Sequence, residues 1–214
     1  MKPPPGTVSR YTSGARVNHW ITAACLILLA LSGLALFDPA LYFLTVLFGG
    51  GAATRAIHPW IGCVLMASFA LLFVRFVRYN FWNRDDTRWL GAIRRVIANE
   101  DEPEVGRYNA GQKLYFWFMS LFIVVLFLTG LVMWDRYFFA YTSIPLKRVA
   151  VLLHSAVAVL SIMAWIVHVY AALWVRGTVQ AMTRGNVTAG WSWRHHRKWL
   201  REVVTGSSSR PGRG

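Results

Sequence analysis

The chain has 214 residues, 56% of them hydrophobic and only 15% charged. Its mean hydropathy of +0.40 is high for a soluble globular domain and places it in the membrane class. The formal net charge of +14 would suit a nucleic-acid binder, but its distribution along the chain gives another origin, set out below.

In chain order, Met1 to Gly14 carry three consecutive prolines, Pro3 to Pro5, and little apolar content, so residues 1–16 read as a flexible, poorly ordered arm. Four uncharged apolar runs long enough to cross a bilayer follow: His19 to Phe37, about Ala56 to Val74, Leu114 to Trp134 and Val149 to Val175. The first follows a short basic segment with Lys2, Arg10 and Arg16. No small-residue cleavage motif comes after it, since Phe37-Asp38-Pro39 does not fit one, so it reads as a retained span. The predicted fold is an all-α integral membrane protein, a bundle of four transmembrane helices over residues 17–201. An even number of crossings puts both termini on one side.

With that side cytoplasmic, 19 of the 23 Lys and Arg fall in cytoplasmic segments, and only Arg55, Arg136, Lys147 and Arg148 fall outside. This is the positive-inside asymmetry, and it accounts for the charge without nucleic acid. The basic face suits anionic lipid headgroups.

Between the second and third spans, Asp85, Asp86 and Thr87 can cap a helix continuing through Asn99, with Trp89, Ile93, Val96 and Ile97 on one face. Such a helix either lies on the membrane surface or meets a partner. Trp191 to Arg201 mixes Trp191, Trp193 and Trp199 with His195, His196 and basic residues, and reads as an interfacial anchor. Adjacent histidines on one helix do not share a face, which argues against a metal site there. The final segment, 202–214, with Ser207 to Ser209 and Pro211, reads as a disordered tail.

His19, His58, His154 and His168 sit within or at the ends of the spans, where ionisable groups are costly and usually functional. In this topology His19 and His168 are level near the cytoplasmic face, and His58 and His154 are level near the outer face. His154 and His168 are 14 residues apart, which is about 21 Å along a helix and within roughly 40° of four whole turns. That geometry suits two haems stacked across a bilayer, each held by one histidine of the fourth span and one from another. Gly33, 14 residues after His19, falls on the same helix face at the depth of the outer pair. It either admits a porphyrin ring or serves ordinary helix packing. Cys25 and Cys63 form no Cys-x-x-Cys-His motif, so the haems would be non-covalent b haems. Two axial imidazoles leave iron no open position and favour electron transfer. The spans contain no Asp or Glu, which excludes a carboxylate-bridged di-metal site.

The segments Asn18-His19-Trp20, Ile57-His58-Pro59, Leu153-His154-Ser155 and His168-Val169-Tyr170, together with Gly106-Arg107-Tyr108-Asn109-Ala110-Gly111-Gln112-Lys113 and the paired His195-His196, resemble the cytochrome b556 (gamma) subunits of formate dehydrogenases. The resemblance runs from about Val17 to Arg201. Trp134-Asp135-Arg136 departs from it, where the family pattern has a proline, as does the proline-rich arm. It implies an electron-transfer subunit that does not itself oxidise formate. Its partners would be an iron-sulfur beta subunit and an alpha subunit with a molybdenum or tungsten pterin centre. The chain would carry two haem b groups and reduce a quinone, menaquinone or ubiquinone, at the cytoplasmic side. By position, Asn109, Gly111 and Gln112, with His168 close by, match the family's quinone pocket; Asn109 is equally placed to cap the third span. Cytochromes of hydrogenases share the four-helix plan and are the alternative.

Overall fold

A computed structural model describes residues 5–98, 100 and 102–206. Of the expected arm and tail, Met1–Pro4 and Ser207–Gly214 lie outside the described residues, as does Asn99. In chain order the elements are strand β1 (Thr7–Ser9), helices α1 (Ser13–Phe37), α2 (Gly51–Phe76), α3 (Arg84–Gly91), α4 (Ile93–Ile97), α5 (Ala110–Met133), α6 (Asp135–Phe138), α7 (Ile144–Trp174) and α8 (Thr178–Thr183), strand β2 (Asn186–Thr188), and helices α9 (Ala189–His195) and α10 (Arg197–Val204). α1, α2, α5 and α7 are long and apolar enough to cross a membrane, in agreement with the four apolar runs. Only 17–22% of each apolar window is buried within the protein, so most of these side chains face surroundings other than protein, as lipid-exposed helices do.

The chain forms two compact units. The first is Val17–Arg75 with Phe118–Val169. Several of its hydroxyls are satisfied within their own helices, as suits a bilayer: Thr22 donates to the Asn18 carbonyl at 3.0 Å, Ser32 to Leu28 at 2.7 Å, Thr129 to Val125 at 2.7 Å and Ser155 to Val151 at 2.9 Å. A 3-10 helix, Pro39–Phe48, links α1 to α2. Asp38 caps it, accepting from the Ala40 amide at 2.8 Å, and Gly49 closes it in a left-handed conformation. Past α5, Trp134 and Tyr137 stand edge-on to Trp60 of α2, with centroids 5.1 and 6.1 Å away. Rings of this kind are enriched at membrane–water boundaries.

The second unit is Met1–Arg16, Phe76–Trp117 and Tyr170–Gly214. Here the structure differs from the expectation of a poorly ordered arm. β1 pairs antiparallel with β2 in the register Thr7↔Thr188, Val8↔Val187, Ser9↔Asn186, and Val8 and Tyr11 pack on a cluster of Ala181, Val187 and Trp199. Arg10 is buried. Its Nη2 donates to the Arg107 carbonyl at 2.8 Å, and Arg107 Nη2 returns a bond to the Arg10 carbonyl at 2.7 Å. Both guanidiniums lie against aromatic rings, Arg10 on Trp199 and Trp191, Arg107 on Tyr79 and Tyr11. Such cation–π contacts are stronger when desolvated. Gly185 turns the chain into β2 with φ +83°, and a Cβ there would meet the Tyr11 carbonyl at 2.7 Å.

The connection after α2 also refines the sequence reading. The cap of α3 is Asn83, not the acidic pair that follows it. Asn83 accepts from the Asp85 and Asp86 amides while Asp86 accepts from the Asn83 amide, a capping box. The helix breaks at Ala92, so the continuous helix expected through Asn99 is two short ones. Trp89, Ile93 and Val96 pack against Val105 and Ala110 of the same unit, and Ile97 stays exposed. Asp86 and Lys113 form a buried ion pair at 2.7 Å, with Lys113 also donating to the Phe81 carbonyl at 3.0 Å.

Candidate functional site

Residues of α1, α2, α5 and α7 enclose a cavity of about 940 Å³ in the first unit, lined by His58, His154, Gly33, Gly130, Cys63 and Arg55 among others. The His58 and His154 ring centroids are 6.4 Å apart. One ion held between two imidazole nitrogens, at about 2 Å from each, separates the ring centres by roughly 6 Å. The observed spacing fits a single iron between them.

Each imidazole is fixed from behind. His58 Nδ1 lies 2.7 Å from Ser32 Oγ on α1, and His154 Nδ1 lies 2.8 Å from Thr129 Oγ1 on α5. Nε2 is then the nitrogen left to bind a metal. The glycine after each hydroxyl residue touches the same ring. A Cβ at Gly33 would stand 3.5 Å from His58 Cε1, and one at Gly130 would stand 3.6 Å from His154 Cε1. A side chain longer than a methyl at either position would enter the cavity, so the two glycines keep it open for a flat ligand. Ser32, Thr129 and Gly130 escape the search for histidine spacing. The signal that finds them is a recurrence, Leu31-Ser32-Gly33-Leu34 on α1 and Leu128-Thr129-Gly130-Leu131 on α5.

His19 and His168 also come together, close enough for their charges to interact. His19 begins the apolar part of α1 beside a polar network: Ser68 Oγ lies 2.6 Å from Asn18 Oδ1 and 2.8 Å from Thr22 Oγ1. His19 Nδ1 is buried without a hydrogen-bond partner.

Asn109 and Gln112 open α5 in the second unit with a reciprocal capping box. The Gln112 amide donates to Asn109 Oδ1 at 3.0 Å and the Asn109 amide donates to Gln112 Oε1 at 3.1 Å. Both side-chain oxygens serve the backbone, and both NH2 groups remain as donors. A Cβ at Gly111 would meet the Trp89 indole at 3.3 Å, so this glycine also makes room for Trp89.

The tail histidines do not act together. The chain breaks at His196, between α9 and α10. His195 Nδ1 is 2.8 Å from Glu102 Oε2. His196 is 1% exposed; its Nδ1 donates to the Gly106 carbonyl at 2.9 Å and its Nε2 accepts from Arg10 Nη2 at 3.2 Å. Burial, reinforced by the Arg10 charge, holds its pKa well below the usual histidine value. Trp199 is buried, while Trp193 is half exposed; of the expected anchor residues, Trp199 is committed to the protein interior.

Residues 10–185 match the family model described as prokaryotic cytochrome b561. The chain belongs to the prokaryotic cytochrome b561 family. All four span histidines fall inside the matched region, and membership implies haem b. The chain is 46% identical over 197 residues to the formate dehydrogenase cytochrome b556(fdo) subunit of Escherichia coli K12, covering 92% of this chain and 93% of that one. It is 37% identical over 190 residues to the nitrate-inducible formate dehydrogenase cytochrome b556(Fdn) subunit of the same organism, covering 88% of each. It is 36% identical over 199 residues to the formate dehydrogenase cytochrome b556 subunit of Haemophilus influenzae, covering 92% and 84%.

Proposed function

We propose that this chain is the di-haem membrane cytochrome b subunit of a respiratory formate dehydrogenase in a bacterial inner membrane, with both termini cytoplasmic. The observation that carries the reading is the pair of histidines, His58 and His154, facing each other at 6.4 Å in a cavity kept open by two glycines, in a chain 46% identical to such a subunit. His58 and His154 hold the outer haem b; His19 and His168 hold the inner one. Arg55, a charged residue lining the cavity, would pair with a propionate. A haem iron held by two of these histidines would exchange single electrons.

The apolar walls would keep water from the haem, and the hydroxyls of Ser32 and Thr129, by holding Nδ1 of each ring, would leave Nε2 to bind the iron. Electrons arrive from an iron-sulfur beta subunit on the outer face, itself supplied by an alpha subunit with a molybdenum or tungsten pterin centre. They leave to a quinone, menaquinone or ubiquinone, at the cytoplasmic side. The NH2 groups of Asn109 and Gln112 supply donors to a quinone carbonyl there, and Gly111 admits the ring beside Trp89. The basic cytoplasmic segments meet anionic lipid.

The test is purification of the chain with its native partners, followed by addition of formate and then of quinone. Reduction of the b-haem absorption by formate and its re-oxidation by quinone are expected. A complex reduced by hydrogen and not by formate would assign the chain to a hydrogenase instead.

A further inference from the structure

Two hydroxyls stand behind the two imidazoles at the cavity, and the direction of their hydrogen bonds is fixed by chemistry. Ser32 Oγ lies 2.7 Å from the Leu28 carbonyl and 2.7 Å from His58 Nδ1. A carbonyl only accepts, so the single hydroxyl proton of Ser32 goes to Leu28, and the oxygen presents lone pairs to the imidazole. His58 Nδ1 must therefore carry the proton. Thr129 repeats the arrangement: Oγ1 is 2.7 Å from the Val125 carbonyl and 2.8 Å from His154 Nδ1.

A hydroxyl that already donates is a better acceptor, because successive hydrogen bonds polarise one another. An imidazole whose N–H is held by such an acceptor is a stronger donor through its other nitrogen, which stabilises the more highly charged oxidised metal. The other pair lacks this at one ligand, since His19 Nδ1 has no partner.

We infer that Ser32 and Thr129 are positioning residues that strengthen both axial imidazoles at the His58–His154 site and so lower the reduction potential of the iron held there, without acting on the His19–His168 site. The inference rests on the haem reading above. It goes beyond ligand identity, assigning two hydroxyls control over one site.

The experiment uses the full chain, purified from membranes, with Ser32→Ala, Thr129→Val and the double substitution, and with Ser32→Thr and Thr129→Ser as variants that keep the hydroxyl. Haem is counted in each preparation, and the two haems are titrated optically against potential; His58→Ala identifies which signal belongs to which site. In the double variant the reduced-to-oxidised ratio of the His58–His154 haem at a fixed poise is expected to rise by about tenfold, the scale on which outer-shell partners act on metal sites. That is about 59 mV for a one-electron couple. The other haem keeps its potential, each single variant shifts the His58–His154 haem in the same direction by less than the double one, and the hydroxyl-keeping variants titrate like wild type. An unchanged potential at full haem content overturns the inference, as does an equal shift at both haems. Loss of the haem from Ser32→Ala and Ser32→Thr alike also overturns it, by making the position one of packing. A wild-type chain with no haem would instead overturn the underlying reading.

Discussion

Exchanging Asn109 for Asp and Gln112 for Glu separates two roles that alanine would confuse. In the capping box of α5 it is the side-chain oxygens that are used, at 3.0 and 3.1 Å. Asp and Glu retain those acceptors at the same reach. Their charge at a helix N-terminus is favourable by about 0.3–1 kcal/mol, so the cap survives. What is lost is the pair of NH2 donors. If these hold a quinone carbonyl, leaving that group unpaired costs about 1–3 kcal/mol, or roughly 5- to 150-fold in quinone affinity. Alanine removes the cap as well, which costs about 1 kcal/mol of stability. The assay reduces the purified complex with formate and follows re-oxidation by quinone over a range of concentrations, normalised to haem, with thermal stability measured on the same preparations. The expected result for Asn109→Asp and Gln112→Glu is wild-type stability and haem content with quinone dependence shifted to higher concentration. Normal re-oxidation in both acidic variants would refute the quinone role and leave the two residues as a helix cap.

Gly33→Ala should be tolerated, because its Cβ meets His58 Cε1 at an ordinary contact distance of 3.5 Å. Gly33→Leu and Gly130→Leu should overfill the cavity at a cost of about 1–3 kcal/mol, seen as partial loss of the outer haem on dilution; an unchanged outer-haem spectrum and potential in Gly33→Leu would return this glycine to helix packing. His58→Ala should abolish the outer haem and keep the inner one, and loss of the other haem alone would reverse the assignment of the pairs. His196, whose pKa burial holds well below 6.5, takes up a proton in the unfolded chain that it refuses in the folded one. Its contribution is complete above pH 6.5 and is lost as pH falls below it, by about 1.4 kcal/mol per pH unit. The thermal midpoint of His196→Asn should accordingly depend less on pH between 6.5 and 5 than that of the wild type, and parallel slopes would contradict the sign.

The parts legible in the sequence are those governed by long-range regularities. A bilayer demands some twenty apolar residues per crossing, so α1, α2, α5 and α7 stand out from composition alone. Helical geometry then ties His154 to His168 and His19 to Gly33. What stays hidden depends on contacts between distant segments. β1 and β2 are three residues each and separated by most of the chain, and nothing local in a proline-rich arm announces a strand or a buried Arg10. Ser32 and Thr129 look like routine small residues of membrane helices until the imidazoles of α2 and α7 are set against them. Asn109 was legible as a possible cap of α5, while the reciprocal bond from the Asn109 amide to Gln112 and the use of the two NH2 groups depend on side-chain placement, to which the pattern is silent.

Two haems per chain, bound without covalent links by His58 with His154 and His19 with His168, is the claim on which the account stands. Acid-acetone extraction of the purified chain, with haem quantified against protein, tests it most directly. The account predicts complete extraction and a ratio of two haems per chain; a ratio of one, or haem retained on the protein, would contradict it.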